Sequence, residues 1–428
     1  ALAGVDNTSV GLVAFGYEAA SVNTSGSNNT AIGYQALKDN TTGQQNTAVG
    51  SVALTANTTG NDNVAFGFRA LTTNTTASDN AAFGFEALKV NTTGHSNIAI
   101  GSHSLNNNIS GNFNNAIGTG SLNANTTGNN NVALGRDALT ANTTASNNTA
   151  LGYEALKANT TGTNNVAVGA SALDANTAGA SNTAVGYNSL GANTTGIQNV
   201  AIGRGALDAN TDQSNNTAVG NNAFGAMASG HSCVAIGNQA GNSNQANYNT
   251  FIGDRAADLA TITGANNTGV GHASFRRLTT GANNTGVGSG VLEDNTEGDD
   301  NSGFGRNALA NNTTGDRNTG IGMVALHTNT TGSNNTALGW YSSHLNTTGS
   351  NNVAIGYTAL KANTTASNNV AIGYEAAKAN TTGLQQVAVG ANALDANTTG
   401  NYNTALGDNA LGANTTASNN TAIGQAAL

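Results

Sequence analysis

The chain has 428 residues, with 56 glycines, no proline, one cysteine, only 8% charged residues and a net charge of -9. An average globular protein carries roughly 25% charged residues, so this surface must be built mainly from Asn, Thr, Ala and Gly. Dilute acidity excludes the basic stripe that nucleic acid requires, the lone Cys233 excludes an internal disulfide framework, and no apolar run reaches the length of about 18 residues needed to enter a membrane.

From the first residues onward the chain repeats one phrase. The glycine closing Ala14-Phe15-Gly16 returns at Gly33, Gly50, Gly67 and Gly84 and onward to Gly424, twenty-five times in all. Nearly every step is 17 residues; a step of 16 from Gly237 to Gly253 and one of 18 from Gly253 to Gly271 restore the register. Helix-pair repeats need a longer period, so this one predicts an all-β chain: a β-solenoid (β-roll) of about 25 stacked 17-residue coils, each reading strand, turn, strand, turn. The organisation expected is one continuous repeat domain over 1–428 with an irregular segment at 238–322. At about 4.8 Å per coil such a stack would be on the order of 120 Å long. The chain does not begin with methionine and stops partway through a unit, as expected of a processed product or a portion of something longer.

Four columns follow from the period. The large apolar residue before each marker glycine, as at Phe15, Ile32, Val49 and Phe66, and the apolar residue four positions after it, as at Leu37, Leu54 and Leu71, are expected to form two internal ladders. Asn29, Asn46, Asn63 and Asn80, four residues before the glycine, are expected to bond through their amides up and down the stack. The residue two before the glycine is Ala or Gly in every unit except at Phe251. Strand alternation puts that small residue on the face opposite the large one, so its smallness predicts a second surface pressed against it, another copy of the chain. A flattened single coil whose two sheets meet closely is the alternative.

The core phrase, as in Asn165-Val166-Ala167-Val168-Gly169 and Asn369-Val370-Ala371-Ile372-Gly373, resembles the head repeats of trimeric autotransporter adhesins, the YadA-like heads, and related tail-fibre-like bacterial surface proteins. The resemblance spans the chain at about five residues per unit. It implies a left-handed parallel β-roll, three chains side by side, an extracellular or cell-surface location, and attachment to host, matrix or other surfaces.

Residues with the means for chemistry are few. His327 and His344 lie one unit apart without a neighbouring carboxylate or thiolate, which favours a solvated pair over a metal pair. Ten of the charged residues fall between Arg276 and Arg317, where Glu297, Asp299, Asp300 and Asp316 are the candidate ligands of a Ca²⁺ ion, weighed against a surface ion-pair cluster. No other cofactor is expected, and no spacing singles out a catalytic group. Aromatic residues following the marker glycine, among them Tyr34, Tyr153, Trp340, Tyr357 and Tyr374, are the candidate ligand contacts, as rings that stack on sugar faces or else cover the second apolar column. The N-x-T triplets at Asn40, Asn57, Asn74 and Asn91 match glycosylation acceptors. The function these features favour is an extracellular structural or adhesive fibre, not an enzyme, self-associating as a homotrimer or filament and meeting a host, matrix or carbohydrate surface without nucleic acid or membrane insertion. The alternative is an ice-binding solenoid that presents threonine ladders such as Thr41, Thr58, Thr75 and Thr92.

Overall fold

The computed structural model describes residues 10–428, and contacts divide the chain into two compact units, Ala1–Asn215 and Asn216–Leu428. Both are built alike. Each coil contributes one three-residue strand that pairs in parallel with the strand 17 residues on: Thr30 lies opposite Thr47, Ala31 opposite Ala48 and Ile32 opposite Val49. The first unit runs from the strand Val13–Phe15 to Val200–Ile202, and the second from Thr217–Val219 to Thr421–Ile423. The protein is therefore an all-β parallel solenoid with a 17-residue coil, and the described residues contain no helix.

Each coil has one strand rather than the two expected. The Ala-Leu segment lies instead in a tight turn, with Gln35 at φ 51° and Leu37 at φ 50°. A leucine in the left-handed region is strained, and the conformation persists because its surroundings fix it. The Leu37 side chain is fully buried, and its N–H donates to Ala53 O of the next coil at 3.0 Å. Apolar periodicity reported burial here, and burial does not require an extended backbone.

The marker glycine has a steric cause. Gly33 sits at φ +134°, and a Cβ added there would lie 2.5 Å from the carbonyl oxygen of Gly50 in the next coil. At the coil spacing no side chain fits between the two backbones.

The strand faces are reversed from the expectation. Ala31, Ala48 and Ala65 are fully buried inside the coil, whereas Ile32 is 38% and Phe66 54% exposed, and Val49 is only partly covered. Ile32 and Val49 are thus not members of an internal ladder. Leu37 and Leu54 are, and the interior they line is narrow. One leucine, two alanines and two asparagines per coil fill it, so the strand can turn only a methyl inward. The small residues face the coil's own interior, so the surface pressed against them is the coil's own and not a second copy; with one strand per coil, it is the tight turn and not a second sheet that closes the interior.

The irregular segment also has a packing explanation. Phe251 replaces the inward alanine and Phe275 the inward leucine, and both rings are fully buried. The glycines of the following coils make room for these and other bulky side chains. A Cβ at Gly269 would lie 2.8 Å from the Phe275 ring and 3.2 Å from that of Phe251, and one at Gly286 would lie 2.8 Å from Phe275. At Gly303 the obstacle is Val291 at 2.7 Å, and at Gly320 it is Leu309 at 3.1 Å. Through the 16- and 18-residue steps the strands stay paired, Val234 with Thr250 and Thr250 with Thr268, so the turns absorb the missing and the extra residue.

Candidate binding surfaces

Two asparagine columns organise the polar side of the interior. Asn46 donates through Nδ2 to Gly60 O at 2.9 Å, while its Oδ1 accepts from the Asn63 backbone N–H at 3.0 Å. Asn29, Asn46, Asn63 and Asn80 are buried and linked in this way, as their spacing suggested. The second column is the N-x-T asparagines. Asn40 Nδ2 reaches Asn23 Oδ1 at 2.7 Å and folds back on Gly43 O at 3.0 Å, and Asn57 bonds to Asn40 in the same manner at 2.9 Å. Asn40, Asn57, Asn74 and Asn91 have no accessible surface, so their amides are interior braces rather than acceptors of a glycan. One signal for this lay in the sequence. Where the column lacks asparagine it carries Met227, Ile262 and Leu278, all fully buried.

The threonines that follow are occupied too. Thr41 Oγ1 donates to Thr58 O at 3.0 Å, Thr58 to Thr75 O at 3.0 Å and Thr92 to Ile109 O at 2.9 Å. Their hydroxyls tie one coil to the next instead of forming an array turned to solvent.

Glu297, Asp299, Asp300 and Asp316 are not gathered into a cation cage; among the described residues no three His, Cys, Asp or Glu side chains meet where an ion would sit. Two of the carboxylates have other work. Asp299 Oδ1 accepts the Ala282 N–H at 2.7 Å, and Asp316 Oδ1 accepts the Asp299 N–H at 2.9 Å. Asn61 and Ser333 do the same in the same column, accepting from Gln44 and Asp316, so the acidic residues are variants of a turn brace. Nearby, Arg276 lies 3.4 Å from Asp258 and 3.7 Å from Glu293, and Arg277 lies 3.1 Å from Asp294, which makes this zone an ion-pair cluster. His327 and His344 stand with ring centroids 5.3 Å apart, and burial pushes both below the usual histidine range.

The aromatic column lies outside the coil, in separate patches. Tyr34 stacks on Tyr17 at 5.4 Å, and Tyr153 holds the Arg136 guanidinium 4.9 Å from its ring centre. Trp340, Tyr357 and Tyr374 are consecutive, 5.5 and 5.3 Å apart, with 40 to 53% of each residue exposed. These rings are surface features and do not cover the leucine ladder.

A further surface was missed because its residues were assigned to the interior. With the middle residue of each strand buried, the first and third face outward. In the first unit this places Phe66, Phe83, Ile98, Ile100, Ile117 and Leu134 on one exposed face; in the second, Val287, Phe304, Ile321, Leu338 and Ile372 form its equivalent. Such a strip is more than scattered surface hydrophobes. The sequence matches no protein-family model and no curated protein.

Proposed function

We propose that the chain is a non-catalytic structural and adhesive fibre of the cell exterior, assembled from side-by-side copies of itself. The observation that supports this is the apolar strand face. Nearly every described coil adds a Thr or Val, and every one an Ile, Val, Leu or Phe, to it, so a second copy offers a surface of the same period. The contact runs along the large apolar residues rather than the alanine column. Three such faces turned toward a common axis would remove them from water together, the arrangement that the resemblance to trimeric adhesin heads implies. Burial of apolar area contributes roughly 25 cal/mol per Å², so even a partial cover of each exposed isoleucine accumulates over many coils. The outer surface, rich in Asn, Thr and partly exposed rings, is then left to meet a host, matrix or carbohydrate surface, with avidity from repetition.

The test is molar mass in solution by light scattering after size separation. The chain mass is 42.3 kDa. Three times that mass, reduced to one chain by Ile100→Lys combined with Ile117→Lys, is the expected result. A wild-type protein that stays at one chain mass at all accessible concentrations refutes it.

A further inference from the structure

One groove in the second unit is not explained by assembly. It is open to solvent, has a volume of about 480 Å³, and is walled by Leu345, Tyr357, Thr358, Lys361, Glu375 and Lys378. Its origin is local. In the column headed by Leu345 the next two coils carry only Ala362 and Ala379, and beside the large Tyr341 the next coil carries the short Thr358, so large residues border small ones and leave a depression.

The wall chemistry is of three kinds. Tyr357 supplies an exposed ring, continued along the stack by Trp340 and Tyr374, after which the column ends because Ala391 follows. Glu375 supplies a carboxylate held below its usual range by the Lys378 ammonium 2.5 Å away, so it accepts hydrogen bonds at neutral pH. Lys361 supplies an ammonium that lies 5.5 Å from the Tyr341 ring centre and, among the described residues, has no carboxylate within 4 Å. A fourth feature points directly at a ligand. Thr358 is only 7% exposed, and its Oγ1 is buried without any hydrogen-bond partner, although it stands in the groove wall. Buried hydroxyls are nearly always satisfied, and a rotation about χ1 that exchanges Oγ1 with the methyl group would bring this orphan to a partner in the groove.

We propose that this groove binds a pyranose unit of a glycan, with the C–H face of the sugar against Tyr357 and its hydroxyls on Thr358 Oγ1, the Glu375 carboxylate and the Lys361 ammonium. A pyranose has an apolar face and a rim of groups that both donate and accept, which is the combination the walls offer. An inorganic anion would leave the ring unused and would be repelled by Glu375. An aliphatic ligand would leave Thr358 and both charges unsatisfied. The inference deepens the adhesive reading by naming a ligand class, but it rests on one chain's side chains and stands or falls separately from assembly.

Trp340 is the only tryptophan of the chain, so its fluorescence reports from beside the groove. The full chain is to be applied to an array of neutral hexose, N-acetylhexosamine and uronate oligosaccharides, and those retained titrated against Trp340 emission. Saturable binding of at least one class is expected, weakened about tenfold by Tyr357→Ala and severalfold by Thr358→Val, while Tyr187→Ala, which removes an exposed ring of the first unit away from the groove, leaves it unchanged. Preference for uronates, lost in Lys361→Ala, would support the role given to that ammonium. No retention of any oligosaccharide, or binding unaffected by both Tyr357→Ala and the nearly isosteric Thr358→Val, overturns the proposal. Molar mass recorded on the same samples separates a failed groove from a failed assembly.

Discussion

Replacing Asn46 by alanine removes a single buried amide whose every contact is defined. Its Oδ1 accepts two hydrogen bonds from Asn63, from the backbone N–H at 3.0 Å and from Nδ2 at 3.1 Å. Asn63 Nδ2 keeps a second acceptor in Ala77 O at 2.9 Å, and Gly60 O, which loses Asn46 Nδ2, keeps Asn57 Nδ2 at 3.0 Å. The Asn63 backbone N–H keeps nothing. One orphaned buried donor costs about 1–3 kcal/mol, which corresponds to a fall in its exchange protection of about 5- to 150-fold. Because coils of a solenoid couple mainly to their neighbours, the loss should be concentrated around residues 60–63 and fade within a few coils. Hydrogen exchange resolved at single amides is the assay, with Thr42→Ala, an exposed side chain one turn away, as the control. Asn46→Asp should keep the Asn63 N–H acceptor but bury a carboxylate, so its damage should shrink as the pH is lowered and the group protonates. Protection at Asn63 unchanged within about twofold in Asn46→Ala would refute the view that the asparagine column braces the backbone.

Gly286→Ala places a methyl 2.8 Å from the Phe275 ring and should destabilise the second unit by about 1–3 kcal/mol, a loss that Phe275→Leu in the same chain partly reverses; additive effects in urea titrations would contradict the packing account. Burial depresses the folded pKa of His327 and His344, so the stability they allow is complete above about pH 6.5 and declines as the pH falls through the lowered folded values; the urea midpoint of the wild type should drop over this window more than that of His327→Gln combined with His344→Gln. Cys233 is fully buried and burial pushes its thiol up, so it should resist a disulfide reagent in the native protein and react at once in urea; rapid native labelling would show that these coils open.

How much of this was legible beforehand depended on what each column encodes. The columns of Leu37 and Asn29 recur in most coils, and where they change it is to residues such as Phe275, Ala377, Cys233 and Gln386 that are buried as well, so both columns proved interior. The strand was harder to read. Ala31 and Ile32 belong to columns that are equally regular, and alternation says only that they face opposite ways. Choosing the larger residue for the interior follows the usual rule for a core of ordinary width, but a 17-residue coil encloses too little space for it. Size was the missing quantity. The N-x-T triplets misled for a different reason: a short motif resembled a modification site, while Met227, Ile262 and Leu278 at the same position already indicated an apolar environment. The groove at Thr358 was out of reach, since it arises from the depth difference between neighbouring columns and not from any one of them. The exposed rings of Trp340, Tyr357 and Tyr374 were visible in the sequence, and their grouping in three consecutive coils followed from the period.

The recovery of register after Gly253 bears on how such a chain changes through time. One coil is a residue short, the next a residue long, and the strand pairing on either side is intact. The 17-residue step carries every backbone and amide bond with it, so duplication or excision of whole units would give a longer or shorter protein with no joint to redesign. Reach can then change by whole units, while a coil one residue short or long is accommodated within its own turns and leaves the neighbouring strands in register.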